Sequence, residues 1–168
     1  MNKRITAALV ALVMIFTALS PSTLYTAERR VLRFEIGSDV YTADGVVRKG
    51  NTGRGYGDFN YEPNSHVTAP VFIDPVYNRA MAPVYMIREA LDVRMWFDCN
   101  SYVTFYRDGV HVWFRLGDSL PYGMGMPTVQ QGTTGAWVWF APLRYVAEAF
   151  GYEVIWDDAA QAVYIIER

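Results

Sequence analysis

Cysteine is nearly absent from this 168-residue chain, and Cys99 is the only one. No disulfide can form within the chain, so an apolar core must hold the fold. Cys99 has no neighbouring partner of the kind nucleophilic catalysis uses, and reads as a free thiol at a turn. Histidine is almost as scarce, with only two in the chain, His66 and His111. A metal site built on them would have to recruit Asp74 or Asp108, and that spacing matches no ligand pattern. We therefore expect no metal and no cofactor. A Ser/His/Asp arrangement and a glycine-rich phosphate loop are missing too, so no feature supports catalysis. Fifteen Lys and Arg face seventeen Asp and Glu, for a net charge of −2. That is not the basic footprint of a nucleic-acid partner.

Long apolar runs are also lacking, with one exception at Ile5–Leu19. Lys3 and Arg4 precede it, and Ser20-Pro21-Ser22-Thr23 follows. The run is shorter than the roughly 20 residues a membrane span needs. A positive start, a short apolar stretch and small residues together form the pattern of a secretory signal. We read residues 1–27 as a signal peptide, cut between Ser20 and Ala27; an uncleaved anchor is the alternative. No cysteine lies nearby for lipid attachment. Residues 28–168 fit one compact domain. They contain no further span and are expected outside the cytoplasm, secreted or associated with the cell surface.

Strand signals dominate this domain. Val31–Ile36 alternates apolar and polar residues. Val40–Thr42 and Val46–Arg48 flank Ala43-Asp44-Gly45, a tight hairpin turn. Residues 49–66, rich in Gly, Asn and Tyr, form a loop. Val71–Ile73 reads as a short buried strand, Pro75–Arg79 as a loop, and Pro83 as the opening of a helix. Val93–Phe97, Tyr102–Tyr106 and Val110–Leu116 read as strands, the last two joined by Arg107-Asp108-Gly109. After a second Gly/Pro-rich loop, residues 117–135, come strand Trp137–Phe140 and a helix opened by Pro142. Gly151 stands at the left-handed stop of that helix. Tyr152–Trp156 and Ala162–Ile166 close the chain around a turn at Asp157–Ala160. Antiparallel strands interrupted by single helices indicate an α+β fold.

Ala141–Asp157 has a degenerate copy fifty-nine positions upstream at Ala82–Asp98, with Ala-Pro, Glu-Ala and the closing Asp in step. The domain thus reads as a strand-loop-helix-hairpin unit used twice, at about 70–108 and 127–168. Two apolar faces follow: Val84, Ile87, Ala90 and Leu91, and Leu143, Val146, Ala147 and Phe150.

At Ala141–Asp157 followed by Ala162–Ile166, the sequence resembles the copper amine oxidase N-terminal-like, or stalk, domain family. Residues 33–45 resemble that family's opening phrase, and the likeness covers about 31–168. The first copy departs from the pattern: Tyr85 replaces the usual Arg, Arg88 the usual Ala, and Asp92 the helix-ending Gly. The resemblance implies an antiparallel sheet wrapped around two short helices in an exported bacterial protein. It implies no oxidase activity, because the family name comes from an accessory domain. Asn60-Tyr61-Glu62 imitates the quinone motif of amine oxidases, but Gly57 stands where its Thr should be, and two histidines cannot make the three-histidine copper site.

The remaining polar features read structurally. Arg144 and Glu148, one helical turn apart, make a surface ion pair, and Asp157-Asp158 makes a turn. The tryptophans are the open feature. Trp137 and Trp139 share a face and are expected to bury together, and the family resemblance implies a core position for Trp156. Trp96 falls one place out of phase with Trp156, so it points outward or its strand bulges. Most tryptophans are expected in the core. Trp96, Trp113, Tyr56 and Tyr61 are the candidate ligand contacts. The expected role is a non-catalytic structural or adhesive module at the bacterial cell surface, with a carbohydrate- or peptidoglycan-binding module as the alternative. Its partner would be a cell-wall glycan or a surface protein. Export is open to direct test: N-terminal sequencing of protein from the medium is expected to begin between Ser20 and Glu28. A membrane-retained chain starting at Met1 would establish the anchor instead.

Overall fold

A computed structural model describes residues 29–49, 69–98, 100–132, 135 and 137–168. Twelve strands and two α-helices lie among them. The strands are β1 (Val31–Glu35), β2 (Val40–Ala43), β3 (Val46–Lys49), β4 (Phe72–Asp74), β5 (Arg79–Pro83), β6 (Arg94–Phe97), β7 (Tyr102–Arg107), β8 (Val110–Arg115), β9 (Thr128–Gln131), β10 (Trp137–Pro142), β11 (Glu153–Asp157) and β12 (Ala162–Ile166). Helix α1 is Val84–Leu91 and helix α2 is Leu143–Ala149. The fold is α+β with antiparallel pairing, but the strands form three sheets and not one. Their orders are β11-β12-β1-β2-β3, β4-β5-β10-β9 and β6-β7-β8.

Local chemistry sets the connections. At β2–β3 and β7–β8 the turn residues Asp44-Gly45 and Asp108-Gly109 all have positive φ, between 50° and 82°. Such pairs match the strand twist of two-residue hairpins. Asp92 stands where a helix-ending glycine is usual, and it adopts the left-handed conformation itself, at φ 52° and ψ 52°. Short Asp and Asn side chains tolerate that region. Gly125 is required for a different reason: a Cβ there would lie 2.9 Å from Pro142 Cγ, where the loop crosses the end of β10.

Both helices are short, and helices of this length are marginal in isolation. Their stability comes from the faces they bury. One core cluster joins Leu32, Phe34 and Tyr41 of the first sheet, Val84, Ile87 and Leu91 of α1, Leu143 and Val146 of α2, and Val103, Phe105, Val112 and Phe114 of the third sheet. The reverse face of the middle sheet carries a smaller cluster, Ala69, Met81, Val138 and Phe140, with Phe72 edge-on to Phe140 at 5.1 Å.

Several expectations are corrected. Arg79 does not belong to a loop; it begins β5, which pairs with β10 so that Ala82 faces Ala141. Trp137 and Trp139 do not bury together. Trp139 is buried edge-on against Phe97 at 4.7 Å, whereas Trp137 opens its strand and is 47% exposed. Trp156 is not a core residue. It lies on β11, an edge strand, 38% exposed, with its indole N–H donating to Asp158 Oδ1. Phe150 is only partly buried. Four of the five tryptophans are thus exposed, because they fall at strand ends, on a sheet edge or on an outer sheet face. Fully buried Phe105 is the better test of the core. Phe105→Ala is expected to cost about 3–5 kcal/mol in urea unfolding, and Phe150→Ala distinctly less. The reverse order would show that the β7 face is wrongly assigned.

Candidate functional site

The sheet β6-β7-β8 packs one face on the core and turns the other outward. Inward point Met95, Phe97, Val103, Phe105, Val112 and Phe114, all buried or partly buried in the main cluster. Strand alternation then places Arg94 and Trp96, Tyr102, Thr104 and Tyr106, and His111, Trp113 and Arg115 on the outer face. Register aligns them in rows. Trp96 lies opposite Thr104, and Thr104 opposite Trp113. Arg94, Tyr106 and His111 make the row on one side, and Tyr102 with Arg115 the row on the other. Thr104 therefore sits at the centre of four aromatic side chains. Trp96 is 50% and Trp113 62% exposed. Tyr102 leans on Trp113 with ring centroids 5.8 Å apart, and Tyr106 on His111 at 4.6 Å.

The structure thus brings together Trp96 and Trp113, two of the four contacts the sequence proposed. The regular pairing of Arg94–Phe97 with β7 shows that Trp96 faces outward on an unbroken strand. Tyr56 and Tyr61 lie outside the described residues, as do His66 and Cys99. Tyr102, Thr104, Tyr106, Arg94, His111 and Arg115 were missed as parts of a site. The two-residue Asp108-Gly109 turn was the available signal, since it fixes which β7 residue opposes which on β8.

Charges around this face are interleaved. Arg94 and Asp92 line one open depression of about 820 Å³, together with Trp96, Tyr106 and His111. Arg115 and Asp118 line another beside Trp113. Asp108 pairs with Arg107 at 3.9 Å. The Asp98 carboxylate accepts from the Asn100 and Tyr102 amides, both at 2.9 Å, and so holds the β6–β7 turn.

Arg107 anchors the sheet from below. Its guanidinium donates to the Leu91 carbonyl at 2.8 Å, the Tyr152 hydroxyl at 2.9 Å and the Phe150 carbonyl at 3.4 Å. It lies over both the Phe150 and Tyr152 rings, at 5.3 and 5.2 Å.

Elsewhere, Arg144 and Glu148 pair at 3.7 Å, both well exposed. Asp157 Oδ1 accepts from the Ala160 amide, closing the last hairpin. Among the described residues no group of three or more His, Cys, Asp or Glu is placed to hold a metal ion. No helix among them is long and apolar enough to cross a membrane.

Fold and site define a small antiparallel α+β module with an aromatic outer sheet face. The family model of the copper amine oxidase N-terminal domain matches residues 59–165, and the chain belongs to that family. That domain is a non-catalytic part of the copper amine oxidases. No curated protein and no solved structure matches the chain.

Arg107 gives this subsection its test. Arg107→Ala leaves two helix-end carbonyls without their donor and is expected to cost about 2–4 kcal/mol. Arg107→Lys is expected to recover only part of this, because an ammonium cannot fork to two carbonyls while lying on two rings. Full recovery by lysine in thermal melts would reduce the anchor to a simple charge effect.

Proposed function

We propose that this chain is an exported, non-catalytic module that attaches to the bacterial cell surface, with the outer face of β6-β7-β8 as its attachment surface and cell-wall polysaccharide as its ligand. One observation carries the reading: Trp96 and Trp113 stand exposed in a single row, flanked by Tyr102 and Tyr106. Exposed apolar clusters of this kind mark interaction surfaces. Aromatic rings offer broad apolar faces with little rotamer entropy to lose, and the C–H faces of sugar rings are complementary to them. An open sheet face suits a polymer lying across it better than a small molecule enclosed in a pocket. Single contacts of this sort are weak, and repeated ligand units make them effective. Export rests on the Lys3–Leu19 pattern, and absence of catalysis on the sequence features and on the family's role.

We also read the domain as one unit used twice, wrapped around its two helices. The order strand, strand, helix, hairpin recurs in β4-β5-α1-β6-β7 and β9-β10-α2-β11-β12. The central pairing places Ala82 opposite Ala141, the residues that correspond in the two copies. A two-fold relation between the copies predicts that register.

The attachment reading is tested on purified cell walls. Trp96→Ala and Trp113→Ala are each expected to weaken retention by more than about 1 kcal/mol without altering the fold, as for exposed aromatic anchors. Undiminished retention of the double variant would sink this choice of surface. Retention abolished by protease treatment of the walls would point to a surface protein as the partner.

A further inference from the structure

We propose that this face is built for an uncharged, extended β-1,4-linked glycan, with Trp96 and Trp113 stacking on alternate sugar rings and the intervening ring lying over Thr104. The inference rests on the attachment reading above and names its ligand.

The first argument is spacing. Trp96 and Trp113 are separated by one intervening strand and share one register row. Two strand spacings put their backbones about 10 Å apart. In a β-1,4-linked chain the rings lie in a flat ribbon, and every second ring recurs at about this distance with the same face turned down. An α-1,4-linked chain curls away from a flat surface and cannot present two rings to both indoles. Thr104, the small residue of the row, leaves room beneath the middle ring for a substituent and offers a hydroxyl to it.

The second argument is charge. The two arginines of the face each share an open depression with an acid: Arg94 with Asp92, and Arg115 with Asp118. A polyanion would meet the acids and a polycation the arginines. A ligand rich in hydroxyls and carrying no charge can accept from the guanidinium and donate to the carboxylate at the same place. This matches a neutral polymer by charge complementarity and disfavours a charged one.

Glucose and N-acetylglucosamine polymers share the linkage and the flat ribbon, so the experiment carries both. Binding of the secreted full chain to cellohexaose, chitohexaose and maltohexaose is measured by calorimetry, with the di- and trisaccharides of each β-1,4 series. At least one β-1,4 series is expected to bind and maltohexaose not. Affinity is expected to rise about tenfold from disaccharide to trisaccharide, because only the longer chain reaches both indoles. Trp113→Ala is expected to remove that rise. The series that binds identifies the substituent tolerated over Thr104. Equal binding of maltohexaose, or no gain beyond the disaccharide, overturns the inference. Retention on cell walls with no oligosaccharide bound overturns it too, yet leaves the attachment reading standing. Failure of both measurements removes both.

Discussion

Arg107 is the interaction on which this architecture depends. Helix α1 ends at Leu91 and α2 is capped by Phe150, so the carbonyl ends, the negative poles of both helices, converge on one guanidinium. The ring faces of Phe150 and Tyr152 enclose the same cation. Arg107 is the last residue of β7, whose alternate residues point the other way as Tyr102, Thr104 and Tyr106. The polar anchor beneath the sheet and the aromatic face above it are therefore two sides of one strand. The alternation that buries Val103 and Phe105 and aims Arg107 at the helix ends leaves the tyrosines no place but outside.

The second constraint is the seam between β5 and β10. Each strand runs directly into a helix at a proline, Pro83 or Pro142, which is both the last residue of the strand and the extended N-cap of the helix. Neither helix has a side-chain cap at its start, so the strand–helix junction must be held by its neighbours. Pairing Ala82 with Ala141 supplies that support with the smallest side chains available, which lets the backbones and both helix starts approach closely. The helices then point their apolar faces into one shared core, and two helices that are each marginal alone are stabilised together.

Much of this was legible in the sequence, and the boundary of legibility is physical. The Asp-Gly hairpins, both helices and their apolar faces follow from local chemistry, and local chemistry is what a sequence displays. The grouping of strands into three sheets depends on pairing between distant segments, which no local pattern encodes. Strand β5 was hidden because Arg79-Ala80-Met81-Ala82 lacks β-branched residues; its place is set by β10 beside it. Trp137 and Trp156 misled for a related reason. Their types favour the core, but one opens a strand and the other lies on an edge strand, and position in the sheet outweighs residue type. Trp96 and Trp113 were recognisable singly, whereas their shared row depends on the register of three strands. The turn at Asp98–Ser101, which sets half of that register, has no simple signature.

The hairpin that follows α2 shows what makes the face after α1 distinctive. Strand β11 pairs with β12, and β12 with β1, as β6 pairs with β7 and β7 with β8. Its outer row reads Ile155, Tyr164 and Arg33 where the other reads Trp96, Thr104 and Trp113. Arg33 is committed to Glu35, two residues along its own strand, at 2.9 Å. The large residue there sits in the middle of the row and the ends carry an aliphatic and a paired charge, so the row has no exposed ring at each end to grip alternate units of a polymer. In the β6-β7-β8 sheet the arrangement is inverted, with the small residue in the middle and indoles at both ends. A frame that only had to be stable would gain nothing from two half-exposed tryptophans on an outer surface, where each leaves apolar area in water. Two exposed indoles at the ends of one outer row occur on this sheet and not on the other, and that asymmetry is the physical reason for proposing the outer face of β6-β7-β8 as the attachment surface.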